Sequence, residues 1–106
     1  MKNLLGIDIG GTKCAITYGR CEGNAVEIVD KVRFDTTEVN ETISNLLHET
    51  EKLMQRHELT YENVKGIGIS CGGPLDSKKG IILSPPNLPG WDHIEIVKLF
   101  QERLGI

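Results

Sequence analysis

The stretch Gly6-Ile7-Asp8-Ile9-Gly10-Gly11-Thr12-Lys13 constrains this chain more than any other. Leu4 to Ile9 is an apolar run that reads as a β-strand buried on both faces or nearly so, with one carboxylate inside it. The run breaks at two adjacent glycines, and Lys13 to Arg20 resumes a weakly alternating pattern rich in β-formers. Two glycines between two strands are a two-residue hairpin signal. The turn accounts for the glycines but not for Asp8, because a lone carboxylate in a buried strand is costly. Two readings remain open: a plain hairpin with Asp8 paired to a Lys or Arg, or a carboxylate that holds a metal directly or through water.

The rest of the chain supplies elements to pack around that hairpin. Cys21 to Asn24 contains Gly and Asn and predicts a turn, followed by a third strand from Val26 to Phe34 with Val26, Ile28, Val32 and Phe34 as its apolar positions. Ile43, Leu46, Leu47, Thr50, Leu53, Met54 and His57 recur at spacings of three and four, which predicts one helix from about Asn40 to His57. His57 ends that helix, where a cation suits the dipole, and His48 falls off the stripe and reads as solvated. Val64 to Ser70 predicts a fourth strand and Gly80 to Leu83 another short apolar run, with Asp76 as a turn residue and Lys78-Lys79 as a solvated hairpin tip. Ser84 to Trp91 carries Pro85, Pro86 and Pro89-Gly90, which forbid regular structure. Asp92 and Glu95 have capping-box spacing ahead of a last helix with Ile94, Val97, Phe100 and Leu104 on its core face, and Gly105 reads as its terminator. The order β-β-β-α-β-(β)-loop-α predicts an α/β fold, a mixed sheet with helices packed on it. A strand should follow the last helix in such an alternation, so the chain reads as one domain, residues 1–106, of something longer.

Several classes are excluded by composition. Hydrophobic residues make up 39% and charged residues 25%, a globular balance rather than a disordered one. No basic cluster exceeds Lys78-Lys79, so no nucleic-acid footprint is indicated. The apolar runs are far too short to cross a membrane, and Met1 to Ile7 does not read as a signal peptide. Cys14, Cys21 and Cys71 are odd in number and form no C-x-x-C, which favours reduced thiols in a cytoplasmic protein over a disulfide framework or zinc site. Cys71 reads as a small packing residue.

Two constellations have the composition of ligand sites. Gly10 and Gly11 would let backbone N–H groups reach phosphate oxygens, with the Thr12 hydroxyl, the Lys13 charge and Asp8 beside them. The spacing is neither G-x-x-x-x-G-K-[ST] nor G-x-G-x-x-G, so neither a P-loop nor a dinucleotide site explains it. The second is Gly68 to Asp76 with Ser84 to Trp91, two Gly/Pro-rich segments that each follow a predicted strand. Ligands of open α/β sheets sit at strand ends. Asn87 offers donors and acceptors and Trp91 a flat apolar face, as a sugar requires; the alternatives are a turn-forming Asn87 and a core Trp91, and for Trp91 by itself the core reading is favoured.

Taken in order, LLGIDIGGTKCAI, GIGISCGGPLD and GIILSPPNLPGW resemble the ROK family of repressors, open reading frames and sugar kinases, over nearly the whole chain. The D-I-G-G-T-K element is shared with the wider actin, hexokinase and Hsp70 superfamily, whereas G-G-P followed by N-L-P-G-W is much more specific. The resemblance implies an RNase H-like domain, the N-terminal one of two that close over ATP and a sugar. It implies that Gly10, Gly11, Thr12 and Lys13 line the ATP phosphates, that Asp8 sits near Mg²⁺, and that Gly73, Pro74 and Asn87 lie at the sugar. The family's N-D-A-N-like motif, whose Asp is the catalytic base, does not occur here, nor do its zinc motif and nucleotide-clasping domain. No residue of these 106 is therefore assigned as the base, which is expected downstream of Ile106, and the fragment alone is expected not to turn over.

Two further readings stand beside a glucokinase-like hexose kinase. One is a sugar-sensing repressor of the same family; those carry a DNA-binding segment ahead of D-x-G-G-T, and only Met1 to Ile7 precede Asp8, which favours the kinase. The other is a stand-alone sugar- or nucleotide-binding module. Family members are commonly homodimers, with contacts largely outside the part present here.

Overall fold

The computed structural model describes residues 2–60, 62–71, 75–76, 81–82 and 95–105; for 71, 75–76 and 81–82 the description is of the backbone. The elements are β1 Lys2–Ile9, β2 Lys13–Glu22, β3 Ala25–Asp35, α1 Val39–Arg56, β4 Val64–Cys71, the two-residue β5 Leu75–Asp76 and β6 Ile81–Ile82, and α2 Ile96–Leu104. Four strands form a sheet in the order β3-β2-β1-β4, and β5 pairs with β6 separately. β1 to β3 are antiparallel, as short hairpin connections dictate, while β4 runs parallel to β1 after the α1 crossover. The expected mixed sheet with helices packed on it is the fold observed.

One face of the sheet makes the core. Leu5, Ile7 and Ile9 of β1 lie opposite Tyr18, Ile16 and Cys14 of β2, and all six are buried. Helix α1 covers them with Leu46, Leu47, Leu53 and Met54, and Ile96 and Phe100 of α2 join the same cluster. Each such side chain contributes roughly 1.5–3 kcal/mol of burial. The polar residues on the apolar face of α1 are satisfied locally. The Thr50 hydroxyl donates to Leu46 O at 2.6 Å, and Thr42 Oγ1 accepts from the Thr37 N–H at 2.8 Å.

Helix α1 begins where Glu38, not a Ser or Asp, caps it: its carboxylate accepts from the Asn40 and Glu41 N–H groups at 3.0 and 3.1 Å. It ends at His57. Glu58 adopts φ 55°, and the Leu59 and Glu58 N–H groups donate back to Met54 O and Gln55 O at 2.7 and 3.3 Å, a Schellman closure. The predicted helix and the exposed His48 agree with this.

Several expectations are corrected. β1 is buried on one face only: Asp8 is exposed, and around it the second face carries the small residues Gly6, Thr17, Gly68 and Ser70, with Leu4 only half-buried. Alternation with small residues there, not a continuous apolar run, makes the strand one-sided. In β3, Val26 and Ile28 are 66% and 62% exposed although they share parity with the inward-facing Val32 and Phe34. The cause is a bulge: Tyr18 opposes Asp30, but Gly19 opposes Ile28, so one residue is skipped and every side chain beyond it changes face. The β1–β2 connection is Gly10–Thr12, one residue longer than the predicted turn. Asp76 lies in β5 opposite Ile81 rather than in a turn. α2 starts at Ile96 with Glu95 as N-cap and no side-chain capping bond, and Ile96 rather than Val97 faces the core. Ile96, Phe100 and Leu104 then form an every-fourth-residue stripe, and Val97 falls beside it. Gly105 ends the helix at φ 75°, as expected.

Candidate functional site

Parallel pairing of β1 and β4 puts their C-terminal ends side by side: Asp8 opposes Ser70 and Ile9 opposes Cys71. The Gly10–Thr12 turn leaves the sheet from that same end. An open trough of about 410 Å³ lies on the sheet face opposite α1, lined among the described residues by Gly6, Asp8, Thr17, Gly68 and Ser70 with others. The small side chains leave its floor flat, and Asp8 supplies its carboxylate. Strand ends of an α/β sheet are where loops diverge and a ligand finds room.

Asp8 takes part in none of the ion pairs among the described residues. The Lys or Arg partner allowed for from the sequence is not found there. Lys13 is engaged elsewhere: its ammonium pairs with Asp35 across the β2–β3 ladder, both side chains being largely exposed. The sequence reading expects Lys13 among phosphate ligands; in the structure its ammonium pairs with Asp35, a carboxylate that the sequence reading did not single out.

The turn itself is tightly held. The Gly10 N–H donates to Lys13 O at 3.1 Å. A Cβ at Gly10 would stand 2.7 Å from that same backbone oxygen, so the glycine is required by contact. Neither Gly10 nor Gly11 has positive φ, so left-handed freedom is not the reason for either. Gly11 and Thr12 are exposed, and among the described residues their N–H groups donate to no protein acceptor. Two outward amides on a fixed turn are the donors a phosphate oxygen needs.

Sequence reading missed Thr36. It follows β3 directly, and antiparallel pairing returns the end of β3 to the start of β2. The Thr36 N–H donates to Thr12 O at 2.9 Å and the Thr36 hydroxyl donates to Gly10 O at 2.7 Å. The signal available was the hairpin itself, since the residue after a third antiparallel strand comes back beside the first turn.

Gly73, Pro74 and Asn87, the expected sugar ligands, and Trp91 and Asp92 lie outside the described residues. The chain enters the segment holding Gly73 and Pro74 from Cys71, whose backbone pairs beside Ile9.

The donor set fits the expected cofactors. An exposed carboxylate, a neighbouring strand-end hydroxyl and unengaged turn amides are hard oxygen and N–H groups. Magnesium is held in this way, by one or two carboxylates with phosphate oxygens and water completing its shell.

A second polar cluster sits away from this end. Asp30 accepts from Arg56 Nη1 at 2.7 Å and from His57 Nε2 at 2.9 Å. The His57 and Arg56 hydrogen bonds, in that order, hold the Asp30 carboxyl below its ordinary range. The His57 ring lies 4.9 Å from that of Tyr18, whose hydroxyl donates to Asn3 Oδ1 at 2.9 Å. This cluster ties β3 to the end of α1 and does not reach Asp8.

Three antiparallel strands, a crossover helix and a fourth strand parallel to the first define an RNase H-like domain of the actin-like ATPase class. The ROK family profile matches residues 4–106, and the chain belongs to the ROK family. A protein of Bacillus subtilis (strain 168) named "Putative fructokinase" is 31% identical over 106 residues, 95% of this chain and 31% of the relative. The chain thus spans about a third of that relative's length. Among solved structures, the ROK hexokinase from Thermus thermophilus superposes with TM-score 0.75 at 26% identity, covering 97% of this chain and 32% of the hexokinase. A ROK family transcriptional regulator, a homologue of the E. coli MLC protein, gives TM-score 0.81 at 21% identity, covering 98% of this chain and 26% of the regulator, a likeness of fold.

Proposed function

We propose that these residues form the N-terminal domain of an ATP-dependent hexose kinase, glucokinase-like in its sugar loop, that acts in the cytoplasm. The observation that carries the reading is the juxtaposition of an exposed Asp8 with a locked Gly10–Thr12 turn at the paired ends of β1 and β4. Relatives named as a fructokinase and a hexokinase support a sugar as the acceptor.

In this reading Mg²⁺ and ATP, when bound, supply the phosphoryl group and neutralise its developing charge. The turn amides of Gly11 and Thr12 bind phosphate oxygens, Gly10 keeps the backbone close, and Lys13 turns its charge between Asp35 and the phosphates. Asp8 orients the metal end. Gly73, Pro74 and Asn87 orient the sugar. The proton of the attacking hydroxyl goes to an aspartate supplied by the rest of the protein, so these 106 residues by themselves do not turn over.

The second reading is a sugar-sensing regulator, favoured by the fold likeness to the ROK regulator. The two differ in what Asp8 and the turn are for: a sensor needs the sugar loop and has no use for a phosphate cradle. A coupled ADP-release assay on the full-length protein with ATP, Mg²⁺ and a panel of hexoses separates them. Turnover by the full-length protein and none by residues 1–106 is the expected result. Sugar binding without turnover on any hexose overturns the kinase reading in favour of the sensor.

A further inference from the structure

Thr36 makes two contacts with the Gly10–Thr12 turn, and their chemistry is directional. The Gly10 carbonyl 2.7 Å from Thr36 Oγ1 can only accept, so it takes the single hydroxyl proton. Cys14 Sγ lies 3.2 Å from the same Thr36 oxygen. With that proton spent on Gly10, the Cys14 thiol must be the donor. The result is a chain, Cys14 S–H to Thr36 O–H to Gly10 C=O, in which each bond polarises the next. Cys14 is 1% exposed, which fixes one end of the chain in the core. The Thr36 N–H meanwhile holds Thr12 O at 2.9 Å. Both carbonyls are thus drawn toward Thr36; in the planar trans Gly10–Gly11 peptide this turns the Gly11 N–H the opposite way, and that N–H has no protein acceptor among the described residues.

We propose that Thr36 is a positioning residue for phosphate binding: its hydroxyl, oriented by the Cys14 thiol, holds the Gly10 carbonyl so that the Gly11 amide of the same peptide faces a phosphate. Thr36 touches no reacting atom and acts through Gly10. The inference rests on the kinase reading for its consequence in turnover, but the holding of the turn stands on the geometry of this chain alone.

The test uses full-length protein carrying Thr36→Val, which keeps the shape and removes the proton, and Thr36→Ser, which restores the hydroxyl. Two readouts are taken: KM for ATP and for the sugar, and hydrogen exchange of the Gly10 amide, which closes the turn onto Lys13 O. For Thr36→Val the KM for ATP should rise roughly five- to tenfold, the effect of losing one well-placed hydrogen bond. The sugar KM should stay as in the wild type, Gly10 exchange should quicken, and Thr36→Ser should recover both. Cys14→Ser, which retains a donor, should behave like the wild type. Equal loss in the Val and Ser variants, or a joint rise of both KM values, would assign Thr36 to packing and overturn the proposal. So would unchanged Gly10 exchange in Thr36→Val. If the wild-type protein shows no ATP turnover the kinase reading fails, and the exchange comparison still decides whether Thr36 holds the turn.

Discussion

The Asp30 carboxylate and His57 Nε2 stand 2.9 Å apart, joining the middle of edge strand β3 to the residue that caps α1. Arg56 adds a second bond to the same oxygen at 2.7 Å. Asp30 faces the helix because it opposes the inward-facing Tyr18, one residue after the skipped Val29. As the end strand of the described sheet, β3 has ladder bonds on one side only, and this clamp adds to the packing of Val29, Val32 and Phe34 on the core.

Asp30→Asn should lower unfolding stability by about 1 kcal/mol, the scale of a partly exposed ion pair with two hydrogen bonds. The pH sign follows from the direction of the shift. The folded carboxyl sits below its ordinary range, so its contribution is fully present above the unfolded value near 4 and is lost as pH falls through the folded one. Urea titrations between pH 3 and about 7 should show the variant's deficit shrinking at the acid end. A constant deficit across that range would mean that the charge on Asp30 is not what matters.

Gly10→Ala should disable the turn with little effect on the sheet. The added Cβ would meet Lys13 O at 2.7 Å, and both are backbone-bound, so the peptide must move at a cost of about 1–3 kcal/mol. In full-length protein the expected outcome is a loss of ATP affinity with sugar affinity retained, read by titration calorimetry. Retained ATP affinity would show that the turn does not touch the nucleotide.

Asp8→Ala should reduce kcat by about a hundredfold or more while leaving sugar KM near the wild-type value, as expected of a group that serves developing charge. Because Asp8 is exposed and outside the core cluster, the melting temperature should hardly change. Near-normal turnover with lost sugar binding would reverse its assignment.

Asn87→Ala should act on the other substrate, raising sugar KM by about tenfold through the loss of one or two hydrogen bonds. An unchanged sugar KM would return Asn87 to a turn-forming role.

Because of the bulge in β3, Ile28 faces away from the core that Ile16 of β2 enters. Ile16 is fully buried and its replacement by Ala should cost about 2–5 kcal/mol, whereas Ile28 is 62% exposed and Ile28→Thr should stay within about 0.5 kcal/mol. Denaturant midpoints measured side by side check this. Comparable losses at both positions would place Ile28 in the core.

Much of this molecule was legible in order and type. Strand, turn and helix periods located β1 to β4 and α1, because backbone geometry ties side-chain direction to spacing two or three-to-four residues apart. The turn glycines beside Asp8 marked the candidate site for a similar reason: only small residues let backbone N–H groups reach a ligand. Local pattern could not reveal the skipped residue opposite Gly19, since a bulge is a property of two strands in register. Nor could it show that Asp35 takes up Lys13, or that Thr36 closes on Gly10 from 26 residues away. Local pattern was enough for β1 to β4, α1 and the glycine turn beside Asp8. Tertiary structure alone decided which face of β1 Asp8 occupies and which distant side chains hold its turn, because those depend on strand pairing, where contacts far apart in the chain are set by register rather than by neighbours.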